Sequence, residues 1–277
     1  MDEGKVKVVV NDQKYYKAQD MTPEICDLID EDEDGQLVDV RDNTIYTIGK
    51  LKDGNCWMLD NFRLDLTNEN VKTVLSSDNT NASDESIGYL LNGGGTSSDK
   101  YAIYSIKEYM TGRYTYADPM IVKTRIDSVN SSDSLEVART WKRGIYYNAC
   151  AISAGSYCFS DGSNGEGTSV GNITEDVCPA GWCLPTGNTS SELDSIRNYY
   201  DNVVLARTAF RAPLTGYYDY FYHEFQNDDL GNYWSSTRAT NSAMWGLDVK
   251  ASPSLFQSNR SVGRRNLIPA RCIANSI

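Results

Sequence analysis

The cysteines are the side chains of this sequence whose number and type point most directly to a chemistry. Seven are spread along the chain, and none forms a C-x-x-C pair: Cys26, Cys56, Cys150, Cys158, Cys178, Cys183 and Cys272. Zinc sites need closely spaced cysteine and histidine ligands, and His223 is the single histidine, so we predict no metal site. Disulfide bonding is the remaining role, with one thiol left over. It predicts an oxidising, extracytoplasmic compartment.

The spacing of the cysteines suggests partners for them. Cys150 and Cys158 flank a short segment that contains a glycine, which favours a local disulfide that constrains the unfolded chain. Two further pairs would join distant segments and leave Cys183 as the odd residue: Cys26 with Cys56, and Cys178 with Cys272. Six bonded cysteines allow many pairings, so the connectivity stays open at this point.

An acidic run near the amino terminus suggests a second chemistry. Asp30, Asp32, Asp34 and Gly35 match the opening of a calcium-binding loop. The position that should supply a bidentate glutamate holds Arg41, whose positive charge would repel the ion. We therefore interpret the run as the solvated end of a helix.

Catalytic constellations are weakly represented. His223 lies among tyrosines and the chain is rich in serine, but no G-x-S-x-G segment places a serine on a strained turn. The fragment CPAGWCLPTG holds no nucleophile pair, carboxylate pair or phosphate cradle, and is typical of a rigid, packed entry into a helix. We predict no enzyme, no catalytic residue and no cofactor.

Composition narrows the classes of partner. The net charge of −12 and the pI of about 4.6 argue against binding to nucleic acid or to an anionic membrane surface, since both need basic patches. Hydrophobic residues make up 40% of the chain, enough for a core, and tyrosines outnumber phenylalanines by 19 to 6. Tyrosine suits half-buried strands and binding surfaces. No signal peptide or transmembrane run is visible, and we expect the chain to be a fragment whose export signal or anchor was removed.

Local signals outline the elements of the first half. Thr22 and Pro23 predict the start of a helix that Gly35 would end. Asp53-Gly54 predicts a hairpin turn between TIYTIGKL and CWMLDNFRL. We predict an amino-terminal strand and helix segment at 1–35, packed on a main domain at 36–277. That domain would carry a loop-rich insertion at about 68–140, where SSDNTNASDES and LNGGGTSSDK lie.

The second half begins near RTWKRGIYYNAC and ends in short strands. Thr189, Ser190 or Ser191 could cap a helix that reaches Tyr199 or Tyr200. In AMWGLDVK, apolar residues alternate with small or charged ones, which is the pattern of a strand. Alternation places Trp245, Leu247 and Val249 on one face, which we expect to point inward, and the residues between them on the other face. The alternative is an ordinary solvated sheet face.

Four segments, in order, carry a resemblance to a known family: RDNTIYTIGKLKDGNCWMLDNFRLDL, CPAGWCLPT, YWSST and GRRNLIPARCI. Together they resemble the Fibrobacter succinogenes major paralogous domain family of bacterial extracellular proteins, over about residues 36–273. The family is related to C-type-lectin folds. Two departures stand out, because Cys183 replaces a polar or basic residue and Pro269 removes a backbone donor from the last strand.

The resemblance implies a mixed α+β, C-type-lectin-like domain with short twisted strands, two or so helices and long loop-rich insertions. It also implies a ligand-displaying protein of the cell surface or a secreted one. Related folds carry the variable receptors of diversity-generating retroelements, in which changed side chains of the carboxyl-terminal strands cover one binding face. Trp234 and Arg271 would be fixed parts of the scaffold.

We therefore expect a bacterial adhesin or receptor that binds a protein or glycan on another cell or surface. Its face would run from Arg238 to Asn266 and favour a ligand of some negative character, because it includes cationic side chains. The expected contact residues are Arg238, Asn241, Gly246, Asp248, Lys250, Leu255, Gln257, Ser261, Val262, Arg265 and Asn266. Two alternatives stay open: a formylglycine-generating type of enzyme using Cys178 and Cys183, and a structural module without a specific ligand.

Overall fold

The computed structural model of the protein describes residues 17–31, 33–91, 144–157, 171–200, 202–219, 230–250 and 255–274, with short strands at 8–10, 13–15, 101–102, 116–117, 121–122 and 224–226. Across these residues, short helices accompany sheets whose paired strands are antiparallel. This combination confirms the predicted α+β class. The first strands, β1 (Val8–Val10) and β2 (Gln13–Tyr15), form a hairpin of their own.

A four-stranded antiparallel sheet joins the first part of the chain to its last strand. Its members, in the order β15-β5-β4-β3, are β3 (Asp34–Val38), β4 (Ile45–Lys50), β5 (Cys56–Met58) and β15 (Ile273–Ala274). The turn between β4 and β5 lies at Asp53-Gly54, as predicted. Gly54 has φ of 85° there, a conformation that glycine adopts without strain.

The first helix is shorter than the sequence suggested. Helix α1 covers only Pro23–Asp27, and the Thr22 hydroxyl caps it by accepting a hydrogen bond from the Ile25 N–H at 3.3 Å. Gly35, which we expected to end a longer helix, lies in β3 opposite Ile48. The prediction was wrong here because aspartates are poor helix formers and because this segment pairs with β4, which gives its backbone sheet hydrogen bonds along one edge.

The segment predicted as a loop-rich insertion begins with two helices instead. Helix α2 (Glu69–Val74) buries Val71, and helix α3 (Asp84–Leu91) buries Ile87 and Leu90 in the main core. Each helix spans about two turns at most, too few for hydrophobic periodicity to reveal it. Beyond residue 91 the described parts of the segment are β6 (Tyr101–Ala102), β7 (Tyr116–Ala117) and β8 (Ile121–Val122). The rest of the predicted insertion up to 140 lies outside the described residues.

The second half opens with buried elements. Strand β9 (Tyr146–Tyr147) pairs with β8 and leads into the single-turn helix α4 (Ala149–Ile152). Helix α5 (Glu192–Tyr199) starts after Ser191, whose hydroxyl accepts from the Asp194 N–H at 3.2 Å. This helix and its cap confirm the sequence prediction.

Helix α6 (Val203–Phe210) was not predicted, because its consecutive valines favour strands when they are considered locally. Asn202 caps it, since its side-chain oxygen accepts from the Leu205 N–H at 3.0 Å. Ala206 and Phe210, one turn apart, are both fully buried. Packing of this apolar stripe therefore decides the conformation.

A three-stranded antiparallel sheet forms the carboxyl-terminal part. Strands β10 (Tyr217–Asp219) and β11 (Glu224–Gln226) precede it as a short pair. The sheet consists of β12 (Leu230–Thr240), β13 (Ala243–Lys250) and β14 (Leu255–Gly263), in that order. Register shifts occur between Trp234 and Arg238 of β12, and on β14 opposite Gly246 and Asp248 of β13. The extra residues lie in β12 and β14, so β13 keeps strict alternation.

The two faces of this sheet pack against different parts of the protein. On one side, which we term the helix face, Tyr233, Leu247, Val249 and Phe256 join buried residues of α5 and α6 in one apolar cluster. On the other side, the core face, Trp234, Met244 and Val262 join the larger core that also holds the four-stranded sheet. Both faces of the sheet are thus covered over much of their length.

One described disulfide lies in the amino-terminal part of the chain, and another joins its middle to its carboxyl-terminal part. Cys26 is bonded to Cys56 and Cys178 to Cys272, while Cys183 is a free, partly buried cysteine. These findings confirm two predicted pairs and the predicted odd residue. Cys150 is also disulfide-bonded, and Cys158, its predicted partner, lies outside the described residues. The bonds fit the predicted oxidising environment. Among the described residues, no helix is long and apolar enough to cross a membrane.

Candidate ligand-binding surface

Strand β14 combines buried anchors with exposed polar side chains. Phe256 is only 1% exposed, and Ser258 and Val262 are also buried. The side chains between these anchors are exposed to solvent: Gln257, Asn259, Arg260 and Ser261. Among the described strands, β14 pairs only with β13, so it forms an edge of the sheet. The strand is therefore held by its buried residues while its polar ones remain available for contact.

The anchor at Ser258 ties β14 to the helix α5 region. Its hydroxyl lies 3.1 Å from Asp194 Oδ1 and 3.2 Å from the Asn188 carbonyl oxygen. The Asn188 N–H in turn donates to the Ser258 carbonyl at 2.8 Å. These bonds cross from the 186–190 loop to the strand, so the loop and β14 form one rigid unit.

A charged cluster lies on the core face beside β14. Asp248 lies opposite Asn232 of β12 and Gln257 of β14, and the Asn232 amide donates to its carboxylate. Arg260 Nε is 3.7 Å from Asp248 Oδ2. Burial raises the pKa of Asp248 to about 6, although the charges of Arg260 and Lys250 oppose this. Nearby positive charges therefore largely compensate the negative charge of Asp248. Arg260, whose side chain is 56% exposed, lies at the outer edge of the cluster.

The prediction that the core-face residues of β13 point to solvent was wrong for Gly246 and Asp248. Gly246 is buried, and a Cβ there would lie 2.8 Å from the Tyr233 carbonyl oxygen and 3.1 Å from Val262 Cγ2. Asp248 is 7% exposed, and Val262, also expected at the surface, belongs to the core. Alternation distinguishes the two faces of a strand but not which face is covered, and here both are.

The other predicted contact residues retain access to solvent. Three of them are exposed: Asn241, Gln257 and Ser261. Five are partly exposed: Arg238, Lys250, Leu255, Arg265 and Asn266. The Arg238 guanidinium lies 4.6 Å from the centre of the Tyr157 ring, a cation–π contact that uses its charge inside the protein. Arg260 likewise lies beside Asp248, so both of these cations have a contact within the protein.

Trp245 also departs from the expectation that it packs inward. It lies on the helix face with Leu247 and Val249, but it is only partly buried and belongs to neither apolar cluster. Sequence reasoning missed it because a tryptophan in an alternating strand is normally a core residue. It also missed Asn232 and Arg260, which become neighbours of Asp248 only through strand pairing.

The predicted scaffold residues have that role. Trp234 is fully buried and its indole N–H donates to the Tyr147 carbonyl at 2.7 Å. Arg271 is 1% exposed, and its guanidinium donates to Asn61 Oδ1 at 2.9 Å. It also lies 4.5 Å from the centre of the Phe210 ring. Burial lowers the pKa of this arginine.

The cysteine pair required by the enzymatic alternative is not present. Cys178 is bonded to Cys272, so it cannot act with Cys183. Burial, together with the nearby charges of Asp176 and Glu192, raises the pKa of the Cys183 thiol. This disfavours the reactive thiolate.

Metal chemistry finds no support in the parts of the chain that the structure covers, where no group of three or more metal-binding side chains occurs. Asp32 of the acidic run and His223 lie outside the described residues. Asp34 pairs with Arg211 at 2.5 Å instead of facing Asp30 across a loop.

The chain matches no family model, no curated protein and no solved structure. The resemblance described above therefore depends on its short motifs alone.

Proposed function

We propose that this protein is an extracytoplasmic binding protein with a C-type-lectin-like fold, which recognises a protein or glycan on another cell or surface. The proposed binding surface consists of β14, the 186–190 loop and the exposed end of the charged cluster at Arg260. The observation that carries the proposal is the construction of β14, in which exposed polar side chains alternate with deeply buried anchors. Such a strand can change its contact residues without losing its place in the fold.

Three further observations support this proposal. The disulfides are typical of proteins that work outside the cytoplasm. The net charge of −12 is unsuited to nucleic acid. Strand β14, finally, is fixed by its pairing with β13 and by the hydrogen bonds between Ser258 and Asn188, and preorganisation of this kind lowers the entropy lost on binding.

The proposal is tested by removing the exposed groups of β14 together. We expect the triple variant Gln257→Ala, Arg260→Ala, Ser261→Ala to fold normally and to lose at least about tenfold in affinity, about 1.4 kcal/mol. The measurement is binding of fluorescently labelled protein to an oligosaccharide array and to a panel of intact bacterial and animal cells.

A matched control is available on the helices. Arg197→Ala, Asn198→Ala, Thr208→Ala also removes one arginine and two neutral polar side chains from exposed positions, and it should bind as the unmodified protein does. Equal binding by the β14 variant would place the ligand elsewhere. Absence of binding to every cell and glycan would favour the structural-module alternative.

A further inference from the structure

Trp245 differs from the other tryptophans that the structure describes. Trp57, Trp182 and Trp234 are each at most 2% exposed, and the indole N–H of each donates to a protein oxygen. Trp245 is only partly buried. Among the described residues, no atom accepts a hydrogen bond from its indole N–H, and no aromatic ring stacks on its own ring.

The residues around Trp245 on the helix face are small. Ser261 lies directly opposite it across the β13–β14 pair, and Ala243 opposite Gly263 is the next pair on the same face. A Cβ built at Gly263 meets no atom within 4 Å. This face therefore forms a shelf of small residues beside Trp245. Ala243 is itself buried, and the shelf is open at the exposed Ser261 and above Gly263.

The other side of Trp245 is a fixed wall. Gly187 packs so closely that a Cβ there would lie 3.0 Å from Trp245 Cβ, and closer still to the Ser235 hydroxyl. The Gly187 N–H donates to Thr237 Oγ1 at 2.9 Å, and the neighbouring Asn188 N–H donates to β14. The loop therefore packs against the base of the Trp245 side chain and leaves no room for an added methyl group at Gly187.

The chemistry of this site is polar but uncharged. Its described side chains offer the Ser261 hydroxyl and the indole N–H, whereas the Thr237 hydroxyl is already bonded to Asn172 and to the Gly187 N–H. The charged cluster at Asp248 lies on the opposite face of the strand. A flat aromatic ring packs well against the C–H face of a pyranose, and the donors and acceptors around it suit sugar hydroxyls.

We infer that Trp245, with Ser261 and the shelf at Gly263, binds one ring of a neutral saccharide. This inference rests on the proposed binding function and names its ligand class. The saccharide ring stacks on the indole above Gly263, and one of its hydroxyl groups accepts a hydrogen bond from the indole N–H. Further rings extend along the exposed side chains of β14.

The test measures binding of a panel of neutral hexasaccharides (gluco-, manno- and N-acetylglucosamine-based) by titration calorimetry. At least one of them should bind the unmodified protein. Trp245→Ala should weaken binding by at least about tenfold, and Trp245→Phe, which keeps a ring but loses the donor, by about threefold.

A second variant fills the space above Gly263 and leaves Trp245 in place. The test then does not depend on whether the Trp245 variants fold normally. Gly263→Leu adds a side chain where space is open, so it should unfold at the unmodified temperature and still lose at least about tenfold in saccharide affinity. The matched control is Gly88→Leu, another glycine whose Cβ meets no atom within 4 Å. It should bind within twofold, roughly, of the unmodified protein.

The outcomes separate the two proposals. If no hexasaccharide binds, or if Trp245→Ala or Gly263→Leu binds with unchanged affinity, the saccharide inference is overturned. Three results together would identify a protein ligand. Cell staining would depend on β14, it would be abolished by treating the cells with protease, and added saccharide would not reduce it. That result would overturn the inference and leave the proposed function intact.

Discussion

Asp248 shows how a single residue of the sheet responds to burial. Its carboxylate accepts from the Asn232 amide and lies near Arg260, yet desolvation dominates and raises its pKa to about 6. An aspartate in the unfolded chain has a pKa of about 3.9. Between these values the folded protein binds more protons than the unfolded chain does. The contribution of this group to the free energy of unfolding therefore falls as the pH rises from about 4 to about 6 and is constant above that.

We predict that Asp248→Asn removes this component of the pH dependence. The amide keeps the size of the side chain and carries no ionisable proton, so the free energy of unfolding of the variant should decline less between about pH 4 and pH 6. Urea unfolding at a series of pH values measures it. Asp78→Asn, at an exposed position, is the control and should follow the unmodified profile. If Asp248→Asn keeps the same slope, burial does not control this carboxylate.

At the scale of elements, two glycines affect stability for different reasons: one through helix propensity and the other through backbone geometry. Gly88 lies inside helix α3, and a Cβ there meets no atom within 4 Å. Gly181, in the CPAGWC segment, has φ of +81°, and its Cβ would lie 2.1 Å from the Met21 carbonyl oxygen. The first glycine only weakens its helix, whereas the second allows the segment to pack against the amino-terminal residues.

We predict opposite effects for alanine at these two positions. Gly88→Ala should raise the free energy of unfolding by about 0.5–1 kcal/mol, because alanine loses less backbone entropy in a helix. Gly181→Ala should lower it by more than about 2 kcal/mol, through backbone strain and a clash with the main chain. Chemical denaturation of both variants measures the changes. If Gly181→Ala leaves the free energy of unfolding unchanged, the contact with Met21 relaxes at little cost.

For the whole molecule, the disulfides set how far the unfolded chain can expand. Cys178–Cys272 closes a loop with a separation of 94 residues, and Cys26–Cys56 closes one of 30. Both bonds attach peripheral segments to the four-stranded sheet, because Cys56 lies in β5 and Cys272 directly precedes β15. The longer loop constrains the unfolded chain more.

We predict that removing the longer bond destabilises the protein more. In the chain-entropy account, the double variant Cys178→Ala, Cys272→Ala should lose about 1 kcal/mol more than Cys26→Ala, Cys56→Ala, since the loss grows with the logarithm of loop length. Thermal and urea unfolding of both double variants under oxidising conditions compare them. The reverse order would mean that local packing at the buried sulfurs outweighs chain entropy.

Much of the local structure was determined by the sequence alone, because short-range chemistry controls it. Asp53-Gly54 predicted a turn that only glycine makes easily, and Ser191 predicted a cap that satisfies free N–H groups of α5. The placement of the cysteines suggested Cys26–Cys56, Cys178–Cys272 and the odd Cys183 but left the connectivity open, and the tertiary structure decided it.

The tertiary structure decided what is exposed, since burial depends on which element packs on each face. Alternation in β13 was read correctly as a strand, but the core covers Gly246 and Asp248 while Trp245 remains partly open beside Gly263. Arg260 reaches Asp248 only through the shifted register of β14. A strand's own sequence separates its two faces, and only its neighbours in space determine which of them a ligand can reach.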